Sequence, residues 1–255
     1  MRYVFAGDRD LSVEILRHLI AKCGRPLALL VSGEDRASHS KELIELSGID
    51  EELVFRGKDF LSDKAFAVLI SCRPDYIIGI HFPYIIPAKV LGMPSVGVLN
   101  LHPAFLPYNR GWHTPTWAIL EGTPIGATLH FMSEGLDVGD IVHQKQIIVR
   151  PDHTANSLYA DLKALEIDVF KEALPALMEL NPVRKCQPSN GWTSHKRQDL
   201  FRPGIQEIQL NQTTTAAALL LKLRALTTSS VQEAAYFIVE GVKYHVQVIV
   251  SPEDI

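Results

Sequence analysis

The sequence is poor in cysteine, contains no long apolar run and has no large excess of either charge. Its three cysteines are far apart and odd in number, which predicts free thiols in a reducing compartment. No stretch of about 18 apolar residues is present to cross a membrane, and the first residues, MRYVFAGDRD, lack the apolar core of a signal peptide. These absences predict a cytoplasmic protein without a membrane partner.

Two further absences bear on the class of function. A formal net charge of -4 provides no general positive field, which disfavours a nucleic-acid partner without excluding a local basic patch. The turn after the first apolar run, Ala6-Gly7-Asp8-Arg9-Asp10, lacks the GxGxxG pattern and therefore disfavours a nicotinamide-dependent oxidoreductase. No cysteine pair has the spacing of a zinc site, and no metal is expected.

What is present is an alternation of short apolar runs and amphipathic stretches. The predicted strands span residues 3–6, 27–31, 76–80, 96–99, 128–132 and 141–149, and the predicted helices span 13–20, 60–72 and 157–180. In the second helix, Phe60, Phe66, Leu69 and Ile70 are expected on one side. The pattern predicts an α/β, Rossmann-like fold, with a mostly parallel twisted sheet, helices on both faces and a hairpin or mixed edge formed by the later strands.

The character of the chain changes after residue 181, where proline and glycine punctuate a polar connector. A predicted helix at 215–225 is followed by β-rich runs at 235–239 and 242–250 around Glu240-Gly241, which predict a hairpin. The expected organisation is a main domain at 1–185, a connector at 186–200 and a small C-terminal unit at 201–255. So short a unit is expected to dock on the main domain or on a second subunit.

Chemistry-bearing residues are concentrated in Asn100-Leu101-His102-Pro103. Residues i and i+2 of an extended chain point the same way, so Asn100 and His102 can face one ligand. Histidine exchanges a proton near neutral pH, and the asparagine amide can donate to a developing oxyanion. Asp137, in Leu136-Asp137-Val138-Gly139-Asp140, could orient His102 or take a proton.

Taken singly, each of these residues has a plainer interpretation. A histidine at a strand end is more often a hydrogen-bonded structural residue, and an aspartate before Val-Gly-Asp is more often a turn residue. Together, Asn100, His102 and Asp137 cover what acyl transfer to an amine requires, which is an oxyanion donor and groups that move protons to and from nitrogen. The conjunction favours a catalytic interpretation.

The motifs Asn100-x-His102-Pro103, Gly126-x-Thr128-x-His130 and Asp137-x-Gly139-Asp140 together resemble the folate-dependent formyltransferase family. The resemblance is strongest over about residues 75–145. It implies that the main domain is catalytic, that Asn100, His102 and Asp137 are the catalytic residues, and that 10-formyltetrahydrofolate is the formyl donor. It also implies direct attack of an amine on the formyl carbon.

The resemblance implies a donor pocket as well. Its walls would be the loop after the third predicted strand and the segment around Asp137. The implied folate-binding residues are His81, Phe82, Tyr84, Ile85, Ile86, Leu136, Val138, Gly139 and Asp140. For His81 a plain loop position is an equally open interpretation.

For the acceptor, the segment from Tyr108 to Pro115 and the C-terminal segment resemble the nucleotide-sugar members of the family, which act on dTDP-linked amino sugars. The expected acceptor-binding residues are Gly7, Asp8, Pro103, Tyr108, Asn109, Arg110, Gly111, Trp192, Lys196 and Arg202. The basic residues, with Arg197, could meet a pyrophosphate, and Trp192 could stack on a base, although each alone is more often a surface residue. The same resemblance implies a homodimer formed through the C-terminal hairpin.

Three alternatives stay open at this point. Methionyl-tRNA as acceptor is disfavoured by the acidic charge and the short C-terminal unit, and glycinamide ribonucleotide is disfavoured because that enzyme type needs no residues beyond about 200. A folate- or nucleotide-binding relative without turnover is disfavoured because Asn100, His102 and Asp137 are all present.

Overall fold

The computed structural model describes residues 1–253. The described residues form eleven strands: β1 (Tyr3–Gly7), β2 (Leu29–Val31), β3 (Val54–Arg56), β4 (Tyr76–Ile80), β5 (Gly97–His102), β6 (Arg110–Gly111), β7 (Ile125–Phe131), β8 (Ile141–Ile147), β9 (Ser194–His195), β10 (Ala235–Val239) and β11 (Val242–Val246). The α-helices are α1 (Asp10–Cys23), α2 (Ser40–Ser47), α3 (Asp63–Cys72), α4 (Ala88–Leu91), α5 (Thr114–Glu121), α6 (Ala155–Met178) and α7 (Ala216–Ala225). Within the described residues no helix is long and apolar enough to cross a membrane.

Seven strands form one sheet in the order β3-β2-β1-β4-β5-β7-β8. The β1–β2, β1–β4, β2–β3 and β4–β5 pairs are parallel, and β5–β7 is antiparallel. The fully buried side chains of β1, β2 and β4 explain why these strands read as continuous apolar runs. The strand order reverses between β1 and β4, which is where open α/β sheets form ligand crevices at the carboxyl ends of their strands.

By their internal contacts the residues fall into two compact units. Unit 1 comprises Met1–His102, Thr128–Gln144 and Glu166–Gln187, and unit 2 comprises Pro103–Ala127, Lys145–Leu165 and the chain from Pro188 onward. This division is discontinuous along the sequence. The sequence-based division into 1–185, 186–200 and 201–255 remains a prediction.

Each unit has its own apolar core. In unit 1, Val4 and Ala6 of β1 pack with Leu30 of β2, Phe60 and Leu69. In unit 2, helix α6 contributes Leu158 and Leu162, which pack with Ile119, Ile125 and Ala225. The amphipathic pattern that predicts α6 is thus produced by the burial of one helix face.

The predicted fold class is confirmed: the sheet is mostly parallel, its β5–β7 pair is antiparallel, and β10 and β11 form the C-terminal hairpin. One packing expectation is wrong, because Ile70 is 61% exposed while Leu69 is fully buried. Helix α2, strand β3 and the β6–β9 pair were not predicted from sequence, since each is short and lacks a strong periodic pattern.

Candidate active site

Four polar side chains of unit 1 come together around the end of β5. Asn100 and His102 lie in β5, two residues apart, as the extended-chain argument requires. His130 lies in the antiparallel neighbour β7, directly opposite Asn100 in the strand register. Asp137 follows in the loop after β7. Antiparallel pairing therefore brings together residues that are 30 and 37 positions apart in the chain.

The aspartate carboxylate lies between the asparagine and the two histidines. Asn100 Nδ2 is 3.4 Å from Asp137 Oδ1 and 3.3 Å from His130 Nε2. His102 Nε2 is 3.6 Å from Asp137 Oδ2, and His130 Nε2 is 3.6 Å from Asp137 Oδ1. His102 is only 7% exposed, so its interaction with the carboxylate is less screened than it would be at the surface.

The hydrogen bonds of His130 fix the orientation of Asn100. His130 Nδ1 lies 2.8 Å from the carbonyl oxygen of Phe131, which can only accept, so Nδ1 carries the proton. In the neutral ring Nε2 is then an acceptor, and it accepts from Asn100 Nδ2. The asparagine therefore presents its NH2 group to both His130 and Asp137.

The backbone around Asp137 is held in an unusual conformation. Asp137 has a φ of 52°, in the left-handed region that non-glycine residues rarely adopt. Gln187 Nε2 donates to the carbonyl oxygens of Asp137 and Gly139, both at 2.8 Å. At Gly139 a Cβ would lie 1.8 Å from the Phe131 carbonyl oxygen, so only glycine allows this approach of the two backbones.

These four side chains supply the groups that acyl transfer to an amine requires. The amide of Asn100 and the imidazole of His102 are hydrogen-bond donors, and Asp137 is a proton acceptor within reach of both. Among residues 1–253 no group of three His, Cys, Asp or Glu side chains is placed to hold a metal ion.

The predicted donor-binding residues fall into three groups in the structure. Phe82 and Tyr84 are half-buried and pack against Phe60, and the Tyr84 hydroxyl accepts from the Gly33 amide at 3.1 Å. Ile85, Leu136 and Val138 are exposed apolar side chains, with Ile85 at 88%. Ile86 packs in the core, and Gly139 and Asp140 contribute backbone near β7.

Exposed apolar side chains beside a catalytic cluster suit a flat, partly apolar ligand such as a pterin ring. The apolar residues present in unit 1 thus have the chemistry that a folate donor requires.

His81 directly follows β4 and has a buried partner. Its Nε2 atom lies 2.9 Å from Oε1 of Glu166 in α6, and its backbone has a φ of 50°. Burial alone would lower the pKa of His81, but the attraction and hydrogen bond of Glu166 outweigh it, so the pKa is raised. Sequence reasoning named His81 but missed Glu166, which sits on the core face of an amphipathic helix where an apolar residue is the usual choice.

Gly7 and Asp8 lie at the carboxyl end of β1, opposite Ile80 at the end of β4. Both are buried, and the Asp8 carboxylate accepts from the backbone amides of Ser38 and His39, at 3.0 and 2.9 Å. The structure therefore gives Asp8 a loop-anchoring task. Its predicted role in acceptor binding remains untested.

The other predicted acceptor residues lie in unit 2. The backbone of Arg110 and Gly111 forms β6, which pairs in parallel with β9. Asn109 is buried and donates to Thr123 and to the Pro124 carbonyl oxygen, and the Pro103 carbonyl oxygen accepts from Thr114. Tyr108 passes close to Gly191. Lys196 is exposed, and Arg202 pairs with Asp199 at 2.7 Å.

Two exposed tryptophans flank the β6–β9 pair, each near a guanidinium group. Arg110 lies 5.7 Å from the Trp192 ring. Arg197 lies 5.4 Å from the Trp112 ring. Trp112 was missed as a binding candidate because a single tryptophan in a sequence carries no sign of which cation it meets.

Comparisons with known proteins identify the family to which the chain belongs. A formyl transferase family model matches residues 30–174, and a model described as the N-formyltransferase dimerization C-terminal domain matches residues 201–252. A methionyl-tRNA formyltransferase from Myxococcus xanthus is 38% identical over 239 residues, covering 89% of this chain and 72% of that protein.

Two further similarities are to a dTDP-sugar formyltransferase sequence and to the solved structure of a 4-N formyltransferase. A dTDP-4-amino-4,6-dideoxyglucose formyltransferase from Mycobacterium tuberculosis is 29% identical over 181 residues, covering 71% of this chain and 75% of that protein. The crystal structure of a 4-N formyltransferase from Francisella tularensis superposes with a TM-score of 0.83, at 24% identity, covering 99% of this chain and 98% of that one. The chain belongs to the formyl transferase family and is a folate-dependent N-formyltransferase.

Proposed function

We propose that this protein transfers the formyl group of 10-formyltetrahydrofolate to the primary amine of a nucleotide-linked amino sugar. The preferred acceptor is a dTDP-linked 3- or 4-amino-dideoxy sugar, made for O-antigen or a related bacterial surface polysaccharide. The observation that carries the proposal is the cluster of Asn100, His102, His130 and Asp137 within hydrogen-bonding or ion-pairing distance of one another.

Each side chain of the cluster has a task in this reaction. The neutral amine attacks the formyl carbon, and the carbonyl oxygen gains negative charge. The 3.4 Å contact of Asn100 Nδ2 with Asp137 is long, so this N–H can be redirected to the oxyanion. Asp137 takes the proton that leaves the attacking nitrogen, and His102 supplies a proton to the departing nitrogen. No covalent enzyme intermediate is required.

The donor side is proposed to be formed by the loop from His81 to Ile86 and by Leu136 to Asp140. Support comes from the exposed apolar side chains Ile85, Leu136 and Val138 in the same unit as the catalytic cluster. When bound, the folate would supply the activated formyl group. The chain's residues orient it and exclude water.

The acceptor side is proposed to be formed around the β6–β9 pair. The indoles of Trp192 and Trp112 offer faces for a nucleobase, and Arg110 and Arg197 offer charge for a pyrophosphate. The match of residues 201–252 to a dimerization domain and the similarity to a dTDP-sugar enzyme support this acceptor and a homodimer. A cytoplasmic location is proposed, supported by the three free thiols of Cys23, Cys72 and Cys186.

A second acceptor, methionyl-tRNA, is favoured by one observation, the 38% identity to the Myxococcus xanthus enzyme. Against it stands the formal net charge of -4, which provides no general attraction for RNA.

The test is a mass-spectrometric assay of the purified protein with 10-formyltetrahydrofolate and a panel of acceptors. The panel contains dTDP- and UDP-linked amino sugars, glycinamide ribonucleotide and charged initiator tRNA. We expect the mass gain of one formyl group on a dTDP amino sugar, absent with His102→Ala. A gain on tRNA alone would overturn the acceptor, and no gain on any compound would overturn the function.

A further inference from the structure

The buried pair of His81 and Glu166 in unit 1 takes no part in the chemistry assigned to the cluster. Its atoms His81 Nε2 and Glu166 Oε1 are 2.9 Å apart, and the side chains are 10% and 0% exposed. The residues are 85 positions apart in the chain, so the contact depends on the tertiary fold. It ties the loop after β4 to the middle of α6.

The folded protein bears several energetic costs where His81 and Glu166 are buried together. A carboxylate without exposure to water loses its hydration, and one histidine hydrogen bond does not satisfy it. Glu166 Oε2 is buried and finds no hydrogen-bond partner among the described residues. His81 itself adopts a left-handed backbone conformation, with a φ of 50°. Costs of this kind concentrate at functional sites, because a stable core would dispense with them.

The strand register places the pair beside the catalytic cluster. Ile80, the last residue of β4, is opposite Leu101 of β5, so His81 leaves β4 next to the end of the strand that carries His102. The Ser12 hydroxyl donates to the Ile80 carbonyl oxygen at 2.7 Å, which fixes the backbone just before His81. Movement of His81 would therefore displace the start of the loop from His81 to Ile86.

We propose that Glu166 is a positioning residue that holds His81 as an imidazolium cation, and that this cation keeps the loop from His81 to Ile86 in the conformation that binds the folate donor. The inference rests on the proposed function, because it takes that loop as one side of the donor site. Glu166 does not touch the donor and acts through His81. Loss of the pair should weaken donor binding more than it slows the transfer step.

The charged groups around His81 make the effect depend on pH in a defined direction. Burial disfavours the cation, as does Arg9, but Glu166 of α6 and Asp10 at the start of α1 favour it, with the net result that the pKa of His81 is raised above its usual 6.5. A group whose pKa is raised in the folded protein gives its full stabilisation below 6.5 and loses it as the pH rises through the raised pKa. Donor affinity should fall over the same alkaline range.

The experiment measures equilibrium binding of 5-formyltetrahydrofolate by calorimetry, together with KM and kcat, for Glu166→Gln, His81→Gln and the double variant. We expect the dissociation constant and the donor KM to rise by about tenfold, with kcat changed by less than about threefold. In Glu166→Gln the alkaline loss of affinity should begin at a lower pH. In His81→Gln, whose amide can still donate a hydrogen bond but does not titrate, the alkaline loss of folate affinity should disappear.

The matched control is Glu172→Gln, because Glu172 is a glutamate on the same helix as Glu166. Glu172 Oε2 pairs with His143 Nε2 at 2.8 Å, but both side chains are exposed, so no change in folate binding is expected. Thermal unfolding of every variant confirms that it is folded.

The experiment distinguishes a failure of this inference from a failure of the proposed function. If the wild type binds folate and Glu166→Gln and His81→Gln bind it equally well with an unchanged pH profile, the inference is wrong while the proposed function stands. If the wild type binds no folate, the proposed function fails and the inference fails with it.

Discussion

At the scale of single residues, the site depends on side chains that hold one another in defined orientations. Asp137 contacts Asn100 and lies near both histidines, so its charge affects every other member of the cluster. His130 has its proton placed by a backbone carbonyl. Substitution of either residue should therefore alter the function of Asn100 and His102 without removing them.

Replacement of Asp137 by Asn keeps the size of the side chain and removes its charge. We expect kcat to fall by about 100-fold or more, because no proton acceptor remains for the attacking nitrogen. Steady-state kinetics with the identified acceptor measure the effect, and Asp35→Asn, an exposed carboxylate far along the sequence, is the control. A loss below about threefold, or about 0.7 kcal/mol, would make Asp137 a turn residue only.

Replacement of His130 by Leu removes the acceptor for Asn100 from a buried position. We expect a decrease in kcat of about tenfold, through loss of the asparagine's orientation. A double-mutant cycle with Asn100→Ala is the measurement that separates this from a packing effect. Once Asn100 is absent, the His130 substitution should cost little more activity, and an additive loss would contradict the positioning role.

At the scale of secondary-structure elements, the β5–β7 pair and the loop that follows β7 create the site. The register sets Asn100 opposite His130, and the loop returns so that Phe131 N donates to the Asp140 carbonyl oxygen at 2.8 Å. The close backbone approach at Gly139 is what closes this loop. The backbone contacts of this loop thus determine where the Asp137 side chain lies.

Gly139→Ala should displace this loop, because the new Cβ would meet the Phe131 carbonyl oxygen. We expect destabilisation of about 2 kcal/mol and a large loss of kcat as Asp137 moves. Thermal unfolding and kinetics provide the readouts. Gly92→Ala is the matched control, since its Cβ would find the nearest atom at 3.9 Å and its φ is -86°. Equal behaviour of the two variants would exclude the role given to Gly139.

At the scale of the whole molecule, the C-terminal hairpin carries an apolar face. The register pairs Phe237 with Tyr244 and Val239 with Val242, and alternation along the strands places these four side chains on one face. Val239, Val242 and Tyr244 are exposed in the single chain. Such a face, within the segment matched to a dimerization domain, is suited to contact with a second copy.

Val242→Lys, which puts a charge on that face, should convert the protein to a monomer at micromolar concentration. Ile238→Lys is the matched control, because Ile238 is similarly exposed but lies on the opposite face. Sedimentation velocity gives the result. A wild type that sediments as a monomer, or a Val242→Lys variant that remains dimeric, would exclude dimerisation through this face.

The sequence alone was sufficient for properties that are local in the chain. Apolar runs predicted the strands β1, β2 and β4, and helical spacing predicted α1 and α6, because burial of one strand or helix face imposes a short-range period. The pair Asn100 and His102 could also be placed on one side of a strand, since two positions of extended backbone determine that geometry.

Only the tertiary structure decided which distant side chains meet. His130 reaches Asn100 across 30 positions, and Glu166 reaches His81 across 85. No periodicity encodes such contacts, because they depend on strand order, register and the packing of α6. A buried glutamate in a helix and a histidine in an apolar strand become informative only when the fold shows what they contact.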